Sequence, residues 1–198
     1  MTIEGLPNLS TINAIFWAYV LGSVPSGFLV GMLWQKDPRA VGSGNPGSAN
    51  VFRFISPLAG VLNFLLDAGK GYLAVLLACA MTKESLVPFL AAVAVVAGHN
   101  WMLFLKFRGG KGLATSVGAL SYLSPAAIPA VIAVMAILIL LLRDSNTAAA
   151  VGILSLPFYL LYVFGWAQFF AGVFWVALIV IKFWPDLQAY RSGRRCLF

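Results

Sequence analysis

The chain has 198 residues, of which 61% are hydrophobic and only 10% charged, and its mean hydropathy is +0.93. That leaves far too little polar surface to coat a water-soluble globule, so the composition excludes a soluble domain and places the chain in lipid. The net charge of +7 does not indicate nucleic acid, because the basic residues are scattered between apolar runs and form no solvated basic domain.

In chain order, apolar segments run over 12–34, 54–80, 86–105, 113–123, 126–142, 148–164 and 166–181. Several approach the ~20 residues that span a hydrocarbon core as helix. The expected fold is all-α, a polytopic membrane bundle of about seven helices, some short, forming one integral membrane domain over 1–198 with no repeat or long linker. The first segment is too long for a signal h-region and has no basic residue ahead of it, so it reads as retained. Cys79 and Cys196 have neither metal-ligand spacing nor the look of a disulfide, and neither metal nor cofactor is expected.

Basic residues orient the chain. The first loop carries Lys36, Arg39 and Arg53, the third Lys106, Arg108 and Lys111, the fifth Arg143, and the C-terminal end Lys182, Arg191, Arg194 and Arg195. The N-terminus has only Glu4, and Lys83 in the second loop is balanced by Glu84. Positive charge favours the cytoplasmic face, which puts the N-terminus outside and the C-terminus in the cytoplasm.

Two loops stand out. The stretch 41–53, VGSGNPGSANVFR, is rich in glycine, hydroxyl and amide groups and reads as ordered irregular backbone that binds something. In the third loop Gly109, Gly110 and Gly112 surround Lys111 just before an apolar helix opens. Glycines let backbone N–H groups converge on an anion, a helix N-terminus adds partial positive charge, and Lys111 adds a full one, so this is a candidate phosphate cradle with Thr115 as a further donor. It lacks the spacing of a Walker A loop, which disfavours nucleotide hydrolysis. Ser43, Asn50 and Arg53 of the first loop offer a second anion-binding surface, Arg53 through its two-pronged fork.

A length argument recesses this region. Two crossings between Lys111 and Arg143 must use residues 112–142, roughly 47 Å of helix, where two full crossings need about 60 Å. The short helices therefore require a glycine loop sunk below the membrane surface or a half-helix at 113–123, with irregular backbone inside a protein-lined cavity. His99, the sole histidine, sits at the end of the third span as a candidate general base or substrate orienter. Asp67 and Lys70, three apart inside the second span, read as a helix-locking pair, with Lys70 expected to be the nearer to a ligand.

These residues resemble the bacterial acyl-phosphate:glycerol-3-phosphate acyltransferases, the PlsY family. The resemblance runs through Tyr19–Gly27 (YVLGSVPSG), Gly42–Gly47 with Asn50 and Arg53, Leu66–Gly71 (LDAGKG), Gly98-His99, and Phe107–Thr115 (FRGGKGLAT). It implies a seven-helix membrane enzyme of the bacterial inner membrane, without cofactor, transferring an acyl group from acyl phosphate to the 1-position of glycerol 3-phosphate to give lysophosphatidic acid. By the same resemblance Ser43, Gly109, Gly110, Lys111, Gly112 and Thr115 would hold acyl phosphate, and Asn50, Arg53, Lys111 and Asp186 would meet glycerol 3-phosphate. Ser43, His99 and Lys111 would be catalytic. The chain departs from the family pattern at Ala49, Met102, Asn146–Ala149 and Lys182–Asp186, where a carboxylate, Asp186, would repel a phosphate at close range. Phe104, five residues beyond His99, leaves no carboxylate for a His–Asp acyltransferase pair. A transporter, or a degenerate paralogue binding a phosphate-bearing lipid or metabolite, is the competing reading; discontinuous helices suit it, but no inverted repeat is evident.

Overall fold

The computed structural model describes residues 8–192; Glu4, Arg194, Arg195 and Cys196 lie outside the described residues. The helices are α1 (Leu9–Gly22), α2 (Ser26–Leu33), α3 (Ser48–Phe54), α4 (Pro57–Met81), α5 (Val87–Asn100), α6 (Leu113–Leu123), α7 (Ala127–Leu142), α8 (Ser145–Gly152), α9 (Leu156–Phe164) and α10 (Trp166–Arg191). Five stretches are long and apolar enough to cross a membrane: Leu9–Leu33, Pro57–Met81, Val87–Leu105, Ser145–Phe164 and Trp166–Arg191. α6 and α7 are apolar but shorter, as the length argument requires.

Three expectations are corrected. The first apolar segment is not one rod: it breaks at Ser23–Pro25 into α1 and α2, because Pro25 has no N–H to continue the ladder. The first loop is not wholly irregular, since its second half forms α3, whose opening bond runs from Val51 N–H to the Gly47 carbonyl. α10 continues to Arg191, ten residues past the expected end at Ile181, so Lys182 and Asp186 sit on a helix rather than in a tail. Pro185 is accommodated inside it.

Small residues let the helices close. A Cβ added at Gly22 would stand 2.1 Å from the Val95 carbonyl oxygen, and one at Gly98 2.1 Å from that of Tyr19, so α1 and α5 touch backbone to backbone. α4 and α6 approach in the same way through Gly71 and Gly118. In a bilayer, where burial of apolar surface between helices gains little, such close van der Waals contact is the main source of association. Ala74, Val75, Ala91, Val95, Ala119 and Trp175 lie in the resulting core. Trp175 Nε1 donates to Ser116 Oγ at 2.8 Å, and Asn100 Nδ2 donates to the Leu178 carbonyl at 3.0 Å, tying α10 to α6 and α5. The outward faces are aliphatic and aromatic: Leu140 and Leu141 of α7 are 77% and 73% exposed, which suits lipid.

Candidate active site

Gly112 begins the site. Its φ of +84° is a left-handed conformation that favours glycine, and from it the chain turns directly into α6. Gly112, Leu113 and Ala114 line a cavity of about 370 Å³, so the first turn of α6, whose N–H groups have no partner within the helix, opens on it. The N-termini of α3 (Gly47, Ser48) and of α8 (Asp144, Asn146) open on the same cavity. Ser43, Asn50, Arg53, Asp67, His99, Lys111 and Phe183 complete the wall. The first, third and fifth loops and the last helix therefore meet on one face of the bundle.

Lys111 is the hub of this wall. Its Nζ lies 2.7 Å from Asp186 Oδ2, donates to Asn146 Oδ1 at 3.2 Å, and stands 4.5 Å from the centroid of the Phe183 ring. Asp186 thus grips the cradle's cation instead of merely facing a phosphate as a repelling charge. Arg53 projects from α3, exposed, and its Nη2 donates to Ser145 Oγ at 3.1 Å at the start of α8. Asp144 caps α8 by accepting from Thr147 N–H at 2.6 Å.

The first loop is wired by Asn50. Its Oδ1 accepts from the N–H of Ser43 (2.9 Å) and from Ser43 Oγ (3.2 Å), while its Nδ2 donates to the carbonyls of Pro38 and Val41. The amide's bonds go to its own loop, so Asn50 shapes the wall and presents Ser43, which is exposed to the cavity. Asn63 of α4 anchors the same loop by donating to the Pro46 carbonyl at 3.0 Å.

Beneath the cavity lies a buried polar cluster. Asp67 Oδ1 accepts from Ser26 Oγ at 2.5 Å and pairs with Lys70 Nζ at 2.8 Å, and His99 Nδ1 stands 3.2 Å away, too far off line for a full hydrogen bond. Lys70 also donates to the Val24 carbonyl at 3.0 Å. The cluster joins α2, α4 and α5. The expected order is reversed, however, because Asp67 lines the cavity and Lys70, drawn towards the α1–α2 break, does not.

The glycine cradle also differs from expectation. Gly110 N–H donates to the His99 carbonyl at 3.0 Å, and a Cβ on Gly110 would stand 2.1 Å from His99 Nε2. Gly109 and Gly110 therefore bind the loop onto α5, and neither lines the cavity. Thr115 is wholly buried against α4, its Oγ1 without a partner among the described residues, so it too stands behind the wall. His99 lines the cavity with its Nδ1 towards Asp67 and Gly110 packed close to its Nε2. Sequence reasoning missed Ser26, Asp144, Ser145 and Phe183 as neighbours of the site. An acidic N-cap before Ser145-Asn146 was the one available signal.

A polytopic helical bundle with a cationic cavity between membrane-face loops defines a class: integral membrane enzymes that handle phosphate-bearing substrates. Comparison with known proteins identifies the member family. Residues 12–193 match the family described as glycerol-3-phosphate acyltransferase. The chain is 43% identical over 149 residues to glycerol-3-phosphate acyltransferase 1 of Moorella thermoacetica, covering 75% of this chain and 76% of that one. It is 34% identical to the glycerol-3-phosphate acyltransferase of Desulforudis audaxviator across 96% of both chains. The crystal structure of PlsY, an integral membrane glycerol 3-phosphate acyltransferase, in its glycerol 3-phosphate form superposes with a TM-score of 0.88 at 31% identity over 96% of each chain. Its lysophosphatidic acid form gives 0.85 at 29% identity over 94% of each. The chain belongs to the glycerol-3-phosphate acyltransferase family and is an integral membrane acyltransferase.

Proposed function

We propose that this protein transfers a fatty acyl group from acyl phosphate to the 1-position hydroxyl of glycerol 3-phosphate, releasing lysophosphatidic acid and inorganic phosphate for phospholipid synthesis. The observation that carries this reading is one cavity offering two cations, Lys111 and Arg53, from different walls, together with the opening turn of α6. Two phosphate-bearing substrates need two anion sites, and both lie within one enclosure.

Lys111, Ser43 and the first turn of α6 hold the acyl phosphate. Arg53 holds the phosphate of glycerol 3-phosphate beside Ser145 and Asn146, and Lys111 lies within reach of both. Asn50 shapes the first loop, Asp186 sets the position and effective charge of Lys111, and Gly109, Gly110 and Thr115 give the third loop its form. The acceptor's hydroxyl oxygen attacks the acyl carbonyl carbon, the bond from that carbon to the phosphate oxygen breaks, and phosphate leaves. A mixed anhydride is already activated, so the protein's work is to align the reactants and neutralise the charge gathering on the leaving group.

The hydroxyl proton goes to the leaving phosphate. His99 is assigned a positioning role, with its Nδ1 beside Asp67 and Gly110 packed against its ring. It supports Lys111 through the loop lying on its ring. The positive charge of the first, third and fifth loops supports a cytoplasmic position for this face in a bacterial inner membrane, with the N-terminus outside.

The test is a donor panel. Purified protein in vesicles receives labelled glycerol 3-phosphate with acyl phosphate, acyl-CoA or acyl carrier protein. Lysophosphatidic acid from acyl phosphate is expected; none from any donor would overturn the reading, and acyl-CoA as the sole productive donor would overturn its donor half.

A further inference from the structure

Three basic residues, none of them used in the reaction above, converge on a surface cleft of about 430 Å³. Arg39 comes from the first loop, Lys106 and Arg108 from the third, and Phe104 and Leu105 form an apolar wall beside them. Among the described residues no carboxylate lines this cleft. The sequence explains the mixture of charge and hydrocarbon. Leu105 ends the long apolar stretch Val87–Leu105, and Lys106 opens the loop that follows, so cations succeed apolar side chains directly. Phe104 and Phe107 are 59% and 56% exposed. A junction of this kind belongs at the depth where acyl chains give way to headgroups.

The backbone holds the arrangement in place. Lys106 and Phe107 have φ of +53° and +61°, a left-handed conformation that L side chains rarely adopt. Such strained positions persist only where the surrounding structure fixes them. Here Phe107 N–H donates to the Met102 carbonyl at 2.9 Å and Arg108 N–H to the Leu105 carbonyl at 3.1 Å, and the turn leaves Lys106, Phe107 and Arg108 exposed. Arg39 is fixed too: it pairs with Asp37 at 2.7 Å, and its guanidinium carbon lies 4.6 Å from the centroid of the Phe28 ring. Asp37 offsets that one charge, whereas Lys106 and Arg108 have no acidic partner among the described residues. A free inorganic anion would use the cations alone. An anionic phospholipid uses both halves of the site, its phosphate on Lys106 and the fork of Arg108, its chains along Phe104 and Phe107. We infer that this cleft binds the headgroup of an anionic phospholipid of the surrounding bilayer.

Each basic residue at an anionic membrane surface strengthens association about fivefold, so removing two raises the Kd roughly tenfold or more. The experiment titrates the purified protein in detergent with phosphatidylglycerol or phosphatidylcholine and reads the Kd of the first bound lipid by native mass spectrometry. Wild-type protein is compared with two double variants. Lys106→Gln with Arg108→Gln empties the cleft of its unpaired charge; Lys36→Gln with Arg191→Gln removes the same charge outside it. All four residues are exposed, so neither pair disturbs the core. Wild-type protein is expected to bind phosphatidylglycerol roughly tenfold more tightly than phosphatidylcholine. The first pair should raise the phosphatidylglycerol Kd by about that factor and leave the phosphatidylcholine Kd unchanged, and the second pair should change neither. Equal losses in the two pairs, or no preference in the wild type, would reduce the cleft to general surface charge and overturn the inference. Displacement of phosphatidylglycerol by inorganic phosphate, beyond that caused by sodium chloride of equal ionic strength, would also overturn it by identifying a site for the free anion.

Discussion

Lys111 of the third loop and Asp186 of α10 form an ion pair at 2.7 Å, with Asp186 almost wholly buried and Lys111 a fifth exposed on the cavity wall. The carboxylate holds the ammonium at the place where a phosphate would sit, and it competes with that phosphate for the same charge. Asp186→Asn keeps the shape and a hydrogen-bond acceptor while removing the competitor. Steady-state kinetics should show a lower KM for the phosphate-bearing substrates and stronger inhibition by inorganic phosphate. A raised KM with weaker phosphate inhibition would mean that Asp186 serves the acceptor directly.

Arg53 reaches the cavity from α3 and meets Ser145 at the head of α8. A charge-assisted contact of this kind is worth about 1.5–3 kcal/mol. Arg53→Ala should therefore raise KM for glycerol 3-phosphate roughly tenfold to a hundredfold while changing KM for acyl phosphate little. Equal effects on both substrates would assign Arg53 to the shared phosphate region instead.

Asp67 is the centre of the buried cluster, bonded to Ser26, paired with Lys70 and close to His99. Removing one partner of a buried pair strands the other, at a cost of about 3–5 kcal/mol. Asp67→Asn should lower the unfolding temperature in detergent markedly, Ser26→Ala by much less, and Asp67→Asn combined with Lys70→Met should recover part of the loss. Equal melting temperatures for Asp67→Asn and the wild type would remove the cluster from the account of stability.

His99 is assigned to positioning, which makes a distinct forecast. His99→Gln should reduce kcat and leave the shape of its pH profile intact, because no proton passes through the ring. Loss of one ionisation from that profile would identify His99 as the general base.

Much of this was legible in the sequence, and the physical reasons for the misses are specific. The fourth span was read as 113–123, the bounds α6 has, because Gly112 and Ser124 mark its ends in composition. The shortness of α6 and α7 followed from counting residues between Lys111 and Arg143. The pairing of Asp67 with Lys70 followed from helical spacing, but which of them faces the cavity did not, since that depends on the α1–α2 break exposing the Val24 carbonyl to Lys70. The cradle was over-read for a similar reason. Glycines between a histidine and a helix can serve an anion or permit close packing, and only the contact of Gly110 with the His99 ring shows the second role. Asp186 was visible as a carboxylate in the wrong place, yet its grip on Lys111 arises from α10 folding back across the bundle. Ser26 and Phe183 carry no local signal and enter through packing alone.

The central claim is that Lys111 neutralises the phosphate leaving group in this cavity. Acyl transfer from palmitoyl phosphate to labelled glycerol 3-phosphate by Lys111→Ala, beside wild-type protein of equal thermal stability, tests it most directly. Loss of a preorganised charge at the leaving group lowers kcat on the order of a hundredfold to a thousandfold. Wild-type turnover by Lys111→Ala would contradict the account.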